Sequence, residues 1–139
     1  MVERADGSLL LNIRSYRGNY RRLVSVSKDG GQTWSQPVED DALVEPVCQA
    51  SLVHHPGIEG GVLFSNPAST KRERMTVRLS RDEGKTWPVA KVLYDGPSAY
   101  SCLAVLRDGS IGCLYERGKK QASETITFAR FSRQWLIDG

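Results

Sequence analysis

The sequence predicts an all-β protein built from repeated antiparallel units, and two internal repeats lead to that prediction. Residues 27–34 recur as residues 80–87 in the pattern S-x-D-x-G-x-T-W, identical at five of eight positions and 53 residues later. Residues 6–9 (DGSL) recur as residues 108–111 (DGSI), 102 residues later, which is close to two such shifts. A unit of about fifty residues accommodates four short strands with their turns, the size of one β-propeller blade.

Eight segments have the composition of strands that such units require. Each is short, alternating or rich in β-branched residues, and bounded by Gly, Pro, Asp or Ser. They cover residues 9–14, 20–27, 48–54, 61–66, 75–80, 101–106, 112–117 and 125–130. No stretch places apolar residues at i, i+3, i+4 and i+7 over a full helix, which supports the all-β class.

The repeated octapeptide is interpreted as a hairpin turn. Asp29 and Asp82 can accept hydrogen bonds from backbone amides further along the chain, and Gly31 and Gly84 can adopt positive φ. The tryptophan that ends each octapeptide is expected to cover the turn. These carboxylates are therefore predicted to be structural rather than catalytic.

The repeat divides the chain into three blades, about half of a six-bladed propeller and too few to close a ring. The predicted blades are residues 1–41 with the octapeptide 27–34, residues 42–94 with the octapeptide 80–87, and residues 95–139. In the third blade, residues 131–135 (FSRQW) keep the Ser and the Trp but have lost the Asp-x-Gly turn. A degenerate unit of this kind is typical of the end of a repeat array.

Composition excludes several classes of protein. The chain has 139 residues, 40% hydrophobic and 25% charged, with a net charge of +3, which is unlike a disordered chain. No apolar run approaches the ~20 residues of a membrane span, and the acidic start MVERADGS does not resemble a secretory signal; no compartment is indicated. The positive charges are spread along the chain, so no nucleic-acid partner is predicted. The three cysteines lack metal-type spacing, and no cofactor is predicted.

The octapeptides are identified as Asp boxes of bacterial neuraminidase repeats, and four further segments resemble the exo-α-sialidase (neuraminidase) family. The segments are residues 3–15 (ERADGSLLLNIRS), 47–52 (VCQASL), 71–80 (KRERMTVRLS) and 99–116, which begins AYS and ends GCLYE. They follow the order and spacing of the C-terminal half of a sialidase and span nearly the whole chain. The resemblance implies blades of a sialidase propeller.

The resemblance also assigns site residues. It implies that Tyr100 is the catalytic nucleophile, that Arg14 and Arg72 bind the carboxylate of sialic acid, and that Glu116 supports the arginines. It places Gln49 in the pocket near the glycerol chain of the sugar. The family's acid/base aspartate, first arginine and glutamate base partner correspond to positions upstream of residue 1, so the isolated chain is expected to be inactive.

More than one arginine is a candidate for binding the ligand carboxylate. Arg74 and Arg78 would share a strand face with Arg72 if the strand stays regular, so Arg74 competes with Arg72 for the binding role. Arg17, Arg21 and Arg22 follow Arg14 closely and are interpreted as a solvated turn.

Two functions compete for the chain. The preferred function is part of an exo-α-sialidase that releases terminal sialic acid from glycoconjugates through a tyrosyl–glycosyl intermediate, with a sialylated glycan as substrate. The alternative is a non-catalytic propeller that binds carbohydrate or a protein partner. Either form has open blade edges, through which two copies of the chain could self-associate.

Overall fold

A computed structural model describes residues 1–138 and shows an antiparallel all-β fold, which confirms the predicted fold class. In these residues ten strands precede a single short helix. The elements are β1 (Val2–Glu3), β2 (Leu9–Ile13), β3 (Arg21–Ser27), β4 (Val38–Val44), β5 (Ser51–His54), β6 (Val62–Pro67), β7 (Glu73–Ser80), β8 (Val89–Val105), β9 (Ile111–Arg117), β10 (Thr125–Phe131) and α1 (Arg133–Ile137). The five-residue α1 is far too short to cross a bilayer.

The strands form two sheets. Strands β1 to β4 pair in chain order as a four-stranded sheet, and the other six pair in the order β10-β9-β8-β7-β6-β5. The 17-residue β8 belongs to two ladders, because its first half pairs with β7 up to Pro97 and its second half pairs with β9 from Ser98. Tyr100 lies just after this change of partner.

Strand β6 joins the two halves of the core because all six of its residues are buried. Val62 and Phe64 pack with Leu10, Leu43 and Trp87, a cluster that connects β6 to the first sheet. Leu63 points to the opposite face and enters a larger cluster formed by β7, β8, β9 and α1. The alternation of side chains along a strand thus places one apolar segment in both clusters.

The two Asp boxes form the predicted turns. Asp29 accepts hydrogen bonds from the backbone N–H and the hydroxyl of Thr33, at 2.9 and 2.5 Å, and Asp82 accepts the equivalent bonds from Thr86. Gly31 and Gly84 have φ of 92° and 82°, as expected. The tryptophans differ, since Trp34 is 37% exposed, whereas Trp87 is buried and donates to Asp40 Oδ2 of β4 at 3.0 Å.

The sequence prediction missed three strand segments and the helix. Strand β1 has only two residues, and β4 carries three acidic residues on a largely exposed strand, so neither shows clear alternation. The first half of β8 was also missed. The short helix α1 was not predicted; in it, Ser132 Oγ accepts from Trp135 N at 3.0 Å and caps the first turn. Five residues are too few to show helical periodicity.

Candidate active site

Tyr100 is held at an irregular point of the β8–β9 ladder. The register shifts between Ser98 and Ser101, and the backbone N–H of Tyr100 donates to Glu116 Oε2 at 3.1 Å. Tyr100 is 43% exposed. The Glu116 carboxylate holds the Tyr100 backbone at this bulge. The ring therefore faces the surface while the neighbouring residues stay in the sheet.

Arg14 reaches Tyr100 from the first sheet. It follows the last residue of β2, and its Nη1 donates to Tyr100 Oη at 3.4 Å. Its guanidinium stacks on the ring of Tyr16, with 4.9 Å between Cζ and the ring centroid. Arg14 Nε is buried without a hydrogen-bond partner among residues 1–138. The guanidinium therefore lies beside the phenol, held by Nη1 and by the Tyr16 ring.

Arg72 reaches Tyr100 from the β6–β7 turn. Its Cζ lies 5.8 Å from the centroid of the Tyr100 ring, and its Nη2 donates to Val47 O at 3.4 Å. Arg74 instead forms an exposed ion pair with Asp95, with 3.5 Å between Nε and Oδ1. Of these two arginines, the structure brings Arg72 and not Arg74 to the tyrosine.

A bulge breaks the regular alternation of the arginines. Arg72 precedes β7, and Arg74 has φ of 62° at a register shift between Glu73 and Met75. Arg78 lies further along β7 and donates to Asn66 Oδ1 at 3.2 Å, and burial lowers its pKa. The three side chains therefore have three separate environments.

Gln49 is bonded to the backbone that follows Tyr100. Its Oε1 accepts from Ser101 N and its Nε2 donates to Ser101 O, both at 2.9 Å. The side-chain amide thus pairs with Ser101 as a neighbouring strand would. Gln49 also lines a cavity of about 300 Å³ together with Tyr100 and Glu116. The rest of the lining is Ser101, Cys102, Leu114, Tyr115 and Ile126.

Glu116 contacts the tyrosine rather than an arginine. Among residues 1–138 its carboxylate forms no ion pair within 4.0 Å, and it accepts the Tyr100 backbone N–H. Its expected support of the arginines is therefore not seen as a direct contact, and that role stays a prediction.

A buried ion pair beneath the site was missed by sequence reasoning. Arg22 Nη1 lies 3.4 Å from Glu45 Oε2, and the two side chains are 4% and 1% exposed. The interpretation of Arg22 as part of a solvated turn is wrong, because Arg22 lies in β3 and faces inward. Burial lowers the pKa of Arg22 and the charge of Glu45 raises it, with burial the larger effect. The partners are 23 residues apart, so no local pattern indicates the pair.

The described part of the chain offers no preformed metal site. In residues 1–138 no three His, Cys, Asp or Glu side chains converge to hold a metal ion. The arrangement consists instead of one phenol, two guanidinium groups beside it and one carboxylate on its backbone. Paired, charge-assisted hydrogen bonds make arginines suitable receptors for a carboxylate ligand.

Comparison with known proteins gives a family and several relatives. The family described as BNR repeat-like domain matches residues 1–113. A sialidase of Micromonospora viridifaciens is 42% identical over 144 residues, which covers 97% of this chain and 21% of that protein. A sialidase of Bacteroides fragilis is 38% identical over 84% of this chain and 23% of its own length. The chain thus spans about a fifth of the length of these relatives.

Solved structures show the same fold. The Hadza microbial sialidase Hz136 superposes with a TM-score of 0.79 at 36% identity, over 94% of this chain and 26% of that one. The leech intramolecular trans-sialidase, complexed with 2,7-anhydro-Neu5Ac, superposes with a TM-score of 0.83 at 26% identity. That match covers 98% of this chain and 23% of the leech protein.

Proposed function

This chain belongs to the BNR repeat-like domain family, and from that premise we propose that it carries the carboxylate-binding and nucleophile portion of an exo-α-sialidase active site. The observation that carries the proposal is the convergence of Arg14 and Arg72, from two different sheets, on Tyr100. The likeness to sialidases over nearly the whole chain supports the substrate class, a terminal sialic acid on a glycan.

The chemistry of a sialoside suits these residues. Its anomeric carbon bears a carboxylate, which would repel a carboxylate nucleophile, whereas a neutral phenol can approach; sialidases with a tyrosine nucleophile are known exceptions to the two-carboxylate rule. Arg14 and Arg72 would bind the substrate carboxylate and orient the anomeric carbon toward Tyr100 Oη. Attack of Tyr100 Oη on that carbon, with the phenol proton passing to a base, would break the glycosidic bond, release the aglycone as an alcohol protonated by an acid, and leave a tyrosyl–glycosyl intermediate. Water would then displace the tyrosine, which regains its proton, and release sialic acid with retention.

Tyrosine needs help to act as a nucleophile. Free tyrosine has a pKa of about 10, so a tyrosine nucleophile needs a base that accepts its proton near neutral pH. A base partner, an acid/base aspartate and a third arginine are expected from outside these 139 residues. The isolated chain is therefore expected to lack turnover, and the activity belongs to the whole protein that contains it.

The direct test is Tyr100→Phe in that whole protein, with hydrolysis of a fluorogenic sialoside as the measurement. Turnover is expected to fall by roughly 10³-fold or more, because the nucleophilic oxygen is lost. Binding of sialic acid, measured by calorimetry, is expected to persist because both arginines remain. Tyr20→Phe, at an exposed tyrosine outside the site, is the matched control.

Two results would change the proposal. Full turnover in Tyr100→Phe would remove Tyr100 from the nucleophile role. Sialic-acid binding without any turnover in the unaltered whole protein would favour the alternative function, a non-catalytic carbohydrate-binding propeller.

A further inference from the structure

Glu45 does not line the candidate site, but its carboxylate bonds to two backbone segments next to the site arginines. It directly follows β4 and is 1% exposed. Its Oε1 accepts the backbone N–H of Ser15 at 2.7 Å, and its Oε2 accepts the backbone N–H of Cys48 at 2.8 Å. Both N–H groups lie outside the strands, so the carboxylate replaces a ladder partner for each.

Arg22 forms a second hydrogen bond to the backbone of Cys48. Its Nη1 donates to Cys48 O at 2.7 Å and lies 3.4 Å from Glu45 Oε2, while its Nε donates to Asn12 Oδ1 at 2.6 Å. The ion pair thus holds both the N–H and the carbonyl of Cys48, and Asn12 anchors the guanidinium to β2. A buried charge pair of this kind is retained at a cost in desolvation, so its presence calls for a reason beyond stability.

Oε1 of Glu45 fixes the backbone next to Arg14. Arg14 lies just beyond β2, and the next backbone N–H, that of Ser15, donates to Glu45. The position of the chain at Ser15 sets the direction from which the Arg14 guanidinium reaches Tyr100 Oη. Loss of that single acceptor would free the Arg14 backbone while leaving β2 paired with β3.

Oε2 of Glu45 stabilises a strained turn at residues 45–48. Val47 has φ of 54°, in the left-handed region that β-branched residues rarely adopt. Strain of this kind persists only where surrounding contacts fix it. Here Glu45 and Cys48, which flank the turn, are bonded to each other and to Arg22, and the Val47 carbonyl accepts from Arg72 Nη2 at 3.4 Å.

We infer that Glu45 is a positioning residue that aligns Arg14 and Arg72 for one ligand carboxylate, acting through Ser15 and through the strained turn at Val47. The inference rests on the proposed function, because it assigns Glu45 to the same carboxylate-binding site. Glu45 does not touch the ligand; it fixes the backbone from which one arginine projects and the carbonyl to which the other donates.

The test is Glu45→Gln in the whole protein, which keeps the shape of the side chain and removes its charge. KM for a fluorogenic sialoside is expected to rise ~10- to 100-fold, since small misplacements of binding groups cost that much. The fall in kcat is expected to be smaller. Affinity for 2-deoxy-2,3-didehydro-N-acetylneuraminic acid, a carboxylate-bearing inhibitor, is expected to weaken in parallel. Glu59→Gln, at an exposed glutamate, is the control.

A second variant separates positioning from stability. Glu45→Gln leaves Arg22 buried without its counter-ion, which destabilises the fold, whereas Arg22→Met/Glu45→Gln removes both charges and is expected to recover the unfolding midpoint. The double variant also removes the hydrogen bond from Arg22 to Cys48 O, so KM stays high in it if Glu45 and its partner Arg22 position the site arginines. A wild-type KM in Glu45→Gln, or KM restored together with stability in the double variant, would overturn the inference.

Amide hydrogen exchange gives a readout that does not require activity. Glutamine keeps one acceptor oxygen and presents an NH2 group in place of the other, so at least one of the Ser15 and Cys48 N–H groups is expected to exchange faster in Glu45→Gln and in the double variant. Unchanged exchange of both would contradict the inference even in an inactive protein. Absence of sialoside turnover and inhibitor binding in the unaltered protein would instead contradict the proposed function. The two failures are therefore distinguishable.

Discussion

Arg14 and Arg72 present guanidinium groups to one tyrosine from two sheets. A planar guanidinium can form two parallel hydrogen bonds to a carboxylate, which the ammonium group of lysine cannot reproduce. Two such groups, reaching the tyrosine from different sheets, can fix the position of a ligand carboxylate as well as balance its charge. At the residue scale, the identity of these two side chains is therefore the most sensitive feature of the proposed site.

Arg72→Lys in the whole protein tests this sensitivity. The charge is kept, but the paired hydrogen bonds are lost, so KM for a sialoside is expected to rise by roughly 10-fold or more in steady-state assays. Arg74→Lys is the matched control, because Arg74 pairs with Asp95 away from the tyrosine. An unaltered KM in Arg72→Lys would remove Arg72 from the binding role.

The Asp82 carboxyl makes the stability of the fold depend on pH. Although desolvation favours the neutral acid, hydrogen bonds from Thr86 and Ser80 outweigh it and lower the pKa of Asp82 from 3.8 to about 2. A carboxyl whose pKa is lower in the folded state stabilises the fold above its unfolded pKa. That stabilisation is lost as pH falls toward 2. Asp82→Asn is therefore expected to flatten the decline of the unfolding midpoint between pH 4 and pH 2.

Thermal unfolding followed by circular dichroism across that pH range measures the effect. Asp41→Asn, at an exposed carboxyl of β4, is the control and should keep the wild-type profile. An Asp82→Asn profile parallel to that of the wild type would show that this carboxylate does not contribute to acid unfolding.

At the element scale, the Asp-box turns do more than reverse the chain. The second turn packs against the first sheet, because Gly84 lies beside Leu10 of β2 and Trp87 donates to Asp40 of β4. The Trp87 ring also packs on Phe64 of β6, with 5.6 Å between ring centroids. The first turn is more open, and its Trp34 donates to its own Gly31 O at 3.0 Å. The same octapeptide is therefore an interface at residues 80–87 and a surface turn at residues 27–34.

Alanine at the two turn glycines is expected to separate these roles. Both positions have positive φ, which costs a non-glycine residue about 1–2 kcal/mol. A methyl group at Gly84 would also lie 2.5 Å from Leu10 Cδ2, whereas at Gly31 it would lie 3.6 Å from Leu9 Cδ1. Gly84→Ala should therefore lower the free energy of unfolding by about 1–3 kcal/mol more than Gly31→Ala does. Urea denaturation of both variants measures the difference, and equal losses would contradict it.

At the scale of the whole molecule, one sheet face lacks a cover in these residues. Leu114, Ile126 and Phe128 are 46%, 70% and 57% exposed, and they are neighbours across β9 and β10. The face continues into the cavity beside Tyr100, which Leu114 and Ile126 also line. Contiguous exposed apolar side chains of this kind are typical of surfaces that another protein element covers.

The isolated 139-residue chain is therefore expected to self-associate through this face. Sedimentation velocity at micromolar concentration should show a dimer or larger species, because burying the face removes apolar area from water. Ile126→Lys/Phe128→Glu should shift the chain toward monomer, while Val38→Lys, at an exposed position on β4, should not. A soluble monomer of the unaltered chain would contradict the prediction.

Features whose contacts are local could be predicted from the sequence. In the Asp boxes the aspartate bonds to a threonine four residues on, so the octapeptide contains its own turn. The strand segments that alternate or are rich in β-branched residues were predicted, because their pattern lies within a few consecutive residues. Strand β4 was missed because its acidic residues are tolerated only on an exposed strand, a property that depends on the sheet around it.

The all-β repeat, the Asp-box turns and the family can be recognised in the amino-acid sequence, since each depends on residues close together or on a recurring pattern. Which arginine meets Tyr100 depends on the folded chain, because a bulge at Arg74 breaks the alternation that local spacing implies. The burial of Arg22 and its pairing with Glu45 likewise depend on the folded chain. Charges separated by many residues come together only when the sheets pack, and burial then forces them to pair.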